Sequence, residues 1–410
     1  MQPGDSISSL ARPVNSCAMR NVIVDAAHTG PEASMVMLPR IGFIGCGAFS
    51  TSCIYPALRL LANGLVPYDS EPQVELVACC DMNERLARRN ARAFGFERWY
   101  TNHRAMLDQE NLDAVFVVMH PQLQPALAIE VMESGRNVYI EKPPAKTLAE
   151  VQAIQEASRR TGKFCQVGFM KRFSEPYVKA KELASRPAFG RPSVYESRKA
   201  RNAPYPPVYD YLNDFVCHHL DLTRYYMGDV EYLSAELVSR TEDPQHLNDR
   251  LWEREDVFRN WAAVLRETPH VPQSDGYLIT FRFTTGAIGV HNANTLETDT
   301  NLLERVTITG EGAVVAVEDW YRVRAAFKGE PGYAWEPLVI DQSTEARLLQ
   351  TGYFGEVREF VTATAEKRPT TAASIDDGVA CLELVAAVRQ SIATGGRVAL
   401  AEIRAADLVS

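Results

Sequence analysis

Lys142, Asp214 and His218 are the residues whose types and spacing best suit acid–base chemistry on a small molecule. Lys142 lies in Glu141-Lys142-Pro143-Pro144, directly after the apolar run Asn137–Ile140. Strand-end lysines are usually solvated surface cations. A lysine at the carboxyl edge of a parallel strand, followed by a proline of fixed φ, can instead reach into a ligand crevice. Asp214 and His218 are four residues apart, which places them on one face of a helix. An imidazole titrating near neutral pH can take a hydroxyl proton, and a carboxylate one turn earlier can orient it or hold a substrate hydroxyl. The bland reading of the same pair is a capped helix with a satisfied core histidine. His219 faces elsewhere on the helix and reads as structural.

A second constellation lies upstream. Gly45-x-Gly47-x-x-Ser50 is a dinucleotide fingerprint whose third glycine is serine, the smallest polar substitute. Its first glycine permits a tight turn, and its second lets backbone approach a pyrophosphate. Ala48 and Phe49 lie in the turn that leads into a helix whose free N–H groups and partial positive charge suit phosphate. Asp81, ending the next apolar run, can accept from both adenosine ribose hydroxyls and would repel a 2′-phosphate. Met82 and Asn83 add no positive charge, so NAD is favoured, while the nearby Arg85 leaves NADP open. The interval from the glycines to Asp81 exceeds the usual ~20 residues, and a Gly/Pro-bearing loop at Gly64–Gln73 accounts for the excess.

These residues need a scaffold that brings strand ends together. Strands are expected at Arg40–Ile44, Val74–Cys80, Leu112–Met119, Asn137–Ile140 and Phe164–Phe169. Helices are expected at Thr51–Asn63, Glu84–Phe94, Pro125–Ser134 and Thr147–Thr161, the last opened by a Thr147/Glu150 capping box. Such alternation predicts a doubly wound parallel sheet, a Rossmann domain over residues 39–165. Beyond about residue 170, strand candidates at Ser193–Ala200, Tyr232–Arg240, Tyr277–Thr284, Ala287–Ala293 and Glu304–Thr309 come with few helices. They predict a mainly antiparallel or mixed sheet in a second α/β domain, residues 166–410. Glu356–Glu366 and Asp376–Thr394 read as amphipathic helices. Thr241–Asp275 interrupts the second domain as a long charged, aromatic-bearing segment. Met1–Leu38 has no lasting period and reads as a mobile extension, or as sequence upstream of the natural start.

Composition narrows the function classes. The 410 residues are 46% hydrophobic and 23% charged, as in ordinary globular proteins. A formal charge of −9 argues against nucleic acid as a main partner. No run approaches the ~18 apolar residues of a membrane span. Eight scattered cysteines without a C-x-x-C pair fit reduced thiols in the cytoplasm and offer no metal-binding spacing.

Gly45-x-Gly47, Glu141-Lys142-Pro143, the segment Gly168–Phe173 and Asp214-x-x-x-His218-x-x-Asp221 together resemble the Gfo/Idh/MocA oxidoreductases, the family of glucose–fructose oxidoreductase and inositol dehydrogenase. The resemblance runs from about Arg40 to Val398. It implies a Rossmann domain followed by an α/β domain whose open sheet often forms an oligomer interface, here in a homodimer or homotetramer. It also implies that Lys142, Asp214 and His218 surround the substrate carbon facing a nicotinamide, with Glu141 and Lys142 also bordering the cofactor. The implied reaction is reversible oxidation of a secondary alcohol on a sugar, sugar derivative or cyclic polyol. His218 would remove the hydroxyl proton, a duty Lys142 could also serve, and Lys142 would stabilise the alkoxide. Arg172, Tyr177, Tyr205, Tyr209 and Tyr211 are candidates for gripping a hydroxylated ring. Relatives of the family include NAD-retaining glycosidases and non-catalytic dinucleotide-binding regulators, which stand as alternatives. Two local departures are the Gln122-Leu123-Gln124-Pro125 stretch, where the family often has histidine, and Tyr205–Tyr211 in place of a glycine-rich lead-in.

Overall fold

A computed structural model describes residues 38–63, 73–200, 210–238, 275–295, 304–336 and 344–407. The proposed extension Met1–Leu38 therefore falls outside the described residues except for Leu38. So do residues 64–72, Tyr205, Tyr209 and all of the long segment Thr241–Asp275 except Asp275.

Six short strands form a wholly parallel sheet: β1 (Arg40–Ile44), β2 (Glu75–Cys80), β3 (Arg98–Tyr100), β4 (Ala114–Val117), β5 (Asn137–Glu141) and β6 (Cys165–Gly168). Their order is β3-β2-β1-β4-β5-β6. The order reverses direction between β1 and β4, and the crevice at their carboxyl ends is where open α/β sheets bind ligands. Being covered on both faces, the inner strands are near-continuous apolar runs; β4 is buried throughout. Strand alternation sends Phe43, Phe116 and Tyr139 to one face. There Phe43 and Phe116 stack at 5.6 Å, and Phe360 from the helix Tyr353–Ala365 meets Phe116 edge-on at 4.8 Å. A helix from the far end of the chain thus closes one face of the N-terminal sheet.

The second sheet has nine strands: β7 (Pro192–Ala200), β8 (Val230–Val238), β9 (Gly276–Phe283), β10 (Ile288–Asn294), β11 (Glu304–Gly310), β12 (Ala313–Glu318), β13 (Arg322–Phe327), β14 (Tyr333–Trp335) and β15 (Val398–Ala399). The order is β14-β13-β12-β11-β7-β10-β9-β8-β15, antiparallel except where β10 pairs with β7. Gly310–Gly312 joins β11 to β12 in a hairpin. The helix Ile375–Thr394 opens with a Ser374/Asp377 capping box and ends at Gly395 in the left-handed region. It packs against both β6 and β8 and so bridges the two sheets. Among the described residues no helix is long and apolar enough to cross a membrane, and every described cysteine is buried and unpaired.

Candidate active site

The turn after β1 is built as the fingerprint requires. Gly45 has φ +107°, and a Cβ there would lie 2.2 Å from the Val118 carbonyl oxygen, so only glycine fits. Its N–H donates to the Cys80 carbonyl at 2.8 Å, tying the turn to the end of β2. A Cβ on Gly47 would meet nothing within 4 Å, leaving the open cradle a pyrophosphate needs. Ser50 is buried at the third position, so close packing survives the substitution. One full turn of wide helix, Ser50–Ile54, leads into the helix Tyr55–Asn63. Ala48 is exposed, and Phe49, 38% exposed, packs edge-on against Tyr353 at 5.7 Å on the crevice rim.

Asp81 lies at the end of β2, where ribose recognition is expected. One of its carboxylate oxygens accepts from the Cys46 N–H at 2.8 Å and the other from the Asn83 N–H at 2.8 Å. The carboxylate is thereby oriented against the glycine turn. Asn83 caps the helix Glu84–Phe94 by accepting from the Leu86 N–H.

Beyond β5, Lys142 and Pro143 are joined by a cis peptide bond. Gln124, fully buried, grips this segment three times. Its amide nitrogen donates to the carbonyls of Glu141 at 2.9 Å and Pro143 at 3.0 Å, and its oxygen accepts from the Glu141 N–H at 2.9 Å. Gln124 stands in the stretch that departs from the family's histidine, and sequence reasoning gave it no role. The only signal was a polar residue at the start of an apolar helix. The Glu141 carboxyl turns inward, accepting from the Tyr139 hydroxyl at 2.8 Å and the Lys142 N–H at 3.1 Å. Burial pushes this carboxyl up to about 7, against the lowering influence of Lys142.

The Lys142 ammonium donates to the main-chain carbonyl of Asp214 at 2.9 Å, a contact that joins the two halves of the predicted site. Tyr211–Val216 is wide-turned helix that tightens into the α-helix Cys217–Met227. Such widened turns recur at functional sites. The Asp214 carboxylate accepts from the Asp210 N–H at 2.6 Å, closing the helix start. Burial raises it to about 6, with the cations of Lys142 and Lys146 opposing. His218 is 9% exposed, and its Nδ1 makes no hydrogen bond among the described residues. Burial first, then the positive charges of Lys142 and Lys171, hold it well below the usual imidazole range, so it is neutral and able to accept a proton.

Two residues expected to grip substrate are occupied elsewhere. The Arg172 guanidinium donates to Asp221 at 2.8 and 2.6 Å and to Asp377 at 3.0 Å. It cross-links the segment after β6 to two helices and is buried. The Tyr177 hydroxyl donates to the Glu304 carboxylate. Glu304 also binds Lys171, and Lys199 at 2.5 Å, in a buried cluster. Both side chains are structural in this arrangement, because internal carboxylates take up their donors. His219 joins the same cluster, stacked on His291 at 4.7 Å, in the structural role expected of it. Tyr211 is buried, and Tyr209 lies outside the described residues.

Residues 39–169 match the model of an oxidoreductase family with an NAD-binding Rossmann fold, the Gfo/Idh/MocA family. That match covers the N-terminal, dinucleotide-binding part of the chain. The chain is 30% identical over 192 residues to the scyllo-inositol 2-dehydrogenase (NAD(+)) of Bacillus subtilis, covering 45% of this chain but only 54% of that protein. Myo-inositol 2-dehydrogenase of Thermotoga maritima is 24% identical over 375 residues, covering 89% of this chain and 99% of its own length. Matches to the Salmonella inositol 2-dehydrogenases again stop short, at 62% of those proteins. Among solved structures, levoglucosan dehydrogenase in complex with NADH superposes with a TM-score of 0.72 at 21% identity, over 89% of this chain and 99% of that one. An Agrobacterium radiobacter oxidoreductase in complex with NAD+, L-tartaric acid and magnesium gives 0.72 at 18% identity, over 90% of this chain and all of that one. At these identities the structural likeness establishes the fold, with its parallel six-stranded sheet and separate, mostly antiparallel sheet.

Proposed function

We propose that this protein is an NAD-dependent dehydrogenase moving a hydride between nicotinamide and a secondary alcohol or ketone of a sugar, sugar derivative or cyclic polyol. Residues 39–165 would take the dinucleotide and 166–410 the substrate. The observation that carries this reading is the convergence of Lys142 and the Asp214–His218 helix, joined by the 2.9 Å contact from the ammonium to the Asp214 carbonyl.

The open cradle at Gly47 and the oriented Asp81 carboxylate fit a dinucleotide without a 2′-phosphate. NAD, when bound, supplies the hydride acceptor. The remaining work falls to this chain. His218, held neutral by burial, takes the proton of the substrate hydroxyl as the carbon–hydrogen bond breaks. Lys142 directs an N–H at the oxygen as negative charge develops there, in a water-poor site where such donors are most effective. Asp214 keeps the helix start closed and lends its carbonyl to position Lys142. The inositol dehydrogenases among its relatives favour a cyclic polyol. A regulator without turnover would need none of Lys142, Asp214 and His218.

The test is the near-ultraviolet absorbance of NADH with NAD and a panel of inositols, aldoses and glycosides. NADH should accumulate with at least one free polyol or sugar. Cleavage of a glycoside without net NADH would favour the glycosidase alternative, and binding of NAD with no turnover of any compound would favour a regulator.

A further inference from the structure

A buried feature behind Lys142 has no part in the chemistry described so far. Alternation along β5 sends Tyr139 and Glu141 to the sheet face covered by the helix Tyr353–Ala365. On that helix Glu356 and Phe360 are four apart and share a face. Phe360 meets Tyr139 at 5.8 Å and Phe116 at 4.8 Å. Glu356, one turn before Phe360, lies close enough to Glu141 for the Glu141 charge to raise its carboxyl. Its side chain has no solvent exposure. The space is tight: a Cβ on Gly168, which pairs with Glu141 across β5 and β6, would lie 2.5 Å from the Tyr139 hydroxyl and 2.8 Å from a Glu141 oxygen.

The donors here can be counted. The Tyr139 hydroxyl and the Lys142 N–H both serve Glu141. Among the described residues neither Glu356 oxygen accepts a hydrogen bond of ordinary geometry, the nearby Tyr139 hydroxyl being given to Glu141, and the Gln166 amide oxygen also has no partner, its nitrogen being spent on the Glu356 main-chain carbonyl at 2.8 Å. Unpartnered acceptors in a dry site are costly, and two adjacent carboxylates cannot both stay ionised there. One proton on Glu356 removes both conflicts. The other titratable groups facing the pair are the Cys53 thiol from the helix after the glycine turn, Tyr353 on the same helix as Glu356, and Lys142 itself. Arg347 adds a more distant charge through Cys53.

We propose that Glu356 is a positioning residue for Lys142: it carries the single proton that Glu356 and Glu141 hold between them, and so keeps Glu141 an anion against the lysine. Burial, and then the Glu141 charge, raise the Glu356 carboxyl well above its usual range, which agrees with this division of one proton. Glu141 then ionises first, near pH 7. Below that pH the anion beside Lys142 is lost, and turnover should fall with it.

Infrared spectra of the full-length protein in water and deuterium oxide at about pH 9, above the range in which Glu141 and Asp214 titrate, test the proton directly. A deuterium-sensitive band of a protonated carboxyl should be present in the parent and lost in Glu356→Gln. Its absence from the parent, or its persistence in Glu356→Gln, overturns the proposal. The kinetic arm rests on the dehydrogenase reading. Glu356→Met, lacking any donor, should move the acid limb of kcat upward by about one pH unit. Glu356→Gln, whose amide can donate to Glu141, should restore it, with KM for NAD unchanged in both. Identical acid limbs in the parent and Glu356→Met overturn the proposal. If Glu356→Met does not fold, the infrared comparison with Glu356→Gln decides. A protein with no dehydrogenase activity would still give the infrared answer, so failure of the functional reading is distinguishable from failure of this one.

Discussion

Lys142→Ala should lower NADH formation by roughly 10²–10³-fold in kcat, the usual loss when one preorganised donor to a developing oxyanion is removed. Folding and NAD binding should survive. Among the described residues the lysine side chain makes one hydrogen bond, to the Asp214 carbonyl at 2.9 Å, and that carbonyl can be met by water in the space the side chain vacates. The glycine turn and Asp81, which would hold the dinucleotide, touch neither atom. The decisive pattern is therefore a split. Thermal unfolding and NAD titration should stay near the parent while turnover collapses. Arginine at this position should not rescue the activity, because a planar fork cannot replace a compact ammonium on a short reach. Turnover within twofold of the parent would remove Lys142 from the chemistry.

Glu304→Leu should destabilise the fold by roughly 3–5 kcal/mol, the range for removing one partner from a buried ion pair. Glu304 is 2% exposed and receives Lys171, Lys199 and the Tyr177 hydroxyl, while the Trp320 ring faces both ammonium groups at 4.1 and 4.2 Å. Burial works against the Glu304 charge, but the two lysines outweigh it and hold the carboxylate well below the usual range. Deleting it strands two ammonium groups. The defect should shrink as pH rises. Burial already lowers Lys171 to about 7 against the opposing pull of Glu304. Without that pull Lys171 loses its proton at lower pH still, so from about pH 5 to 8 the folded variant gains on the parent, and above that range Lys171 is neutral in both. Where the unfolded state binds more protons, stability increases with pH. Urea midpoints of parent and variant from about pH 5.5 to 8.5 should therefore converge, and a constant or widening gap would contradict this role for the cluster.

Local signals in the sequence specified the frame well. Apolar runs ending at Gly45, Asp81 and Glu141 became β1, β2 and β5, and the Thr147/Glu150 pair became an observed capping box. The fingerprint and the Glu-Lys-Pro segment were legible because each lies within a few residues of chain. What escaped was set by distant contacts. Arg172 and Tyr177 looked free to bind substrate because nothing nearby in sequence announces their partners. Their carboxylates arrive from Asp221, Asp377 and Glu304, the last 127 residues beyond Tyr177. Gln124 reaches Glu141 across 17 residues, and Glu356 reads locally as one polar position on an amphipathic helix. Strand β3, at three residues and partly exposed, is too short to show a period. Strands β12 to β14 extend the sheet by hairpins beyond the last strand expected at Glu304–Thr309.

The proposed reaction is direct hydride transfer from substrate carbon to nicotinamide at the Lys142–His218 site. It is tested most directly with the polyol or sugar that supports NADH formation, deuterated on its ring carbons. One deuterium per turnover should be recovered in the reduced nicotinamide, with a slowed rate when hydride transfer limits turnover. Deuterium released to water, or no reduced cofactor from any member of the panel, would contradict it.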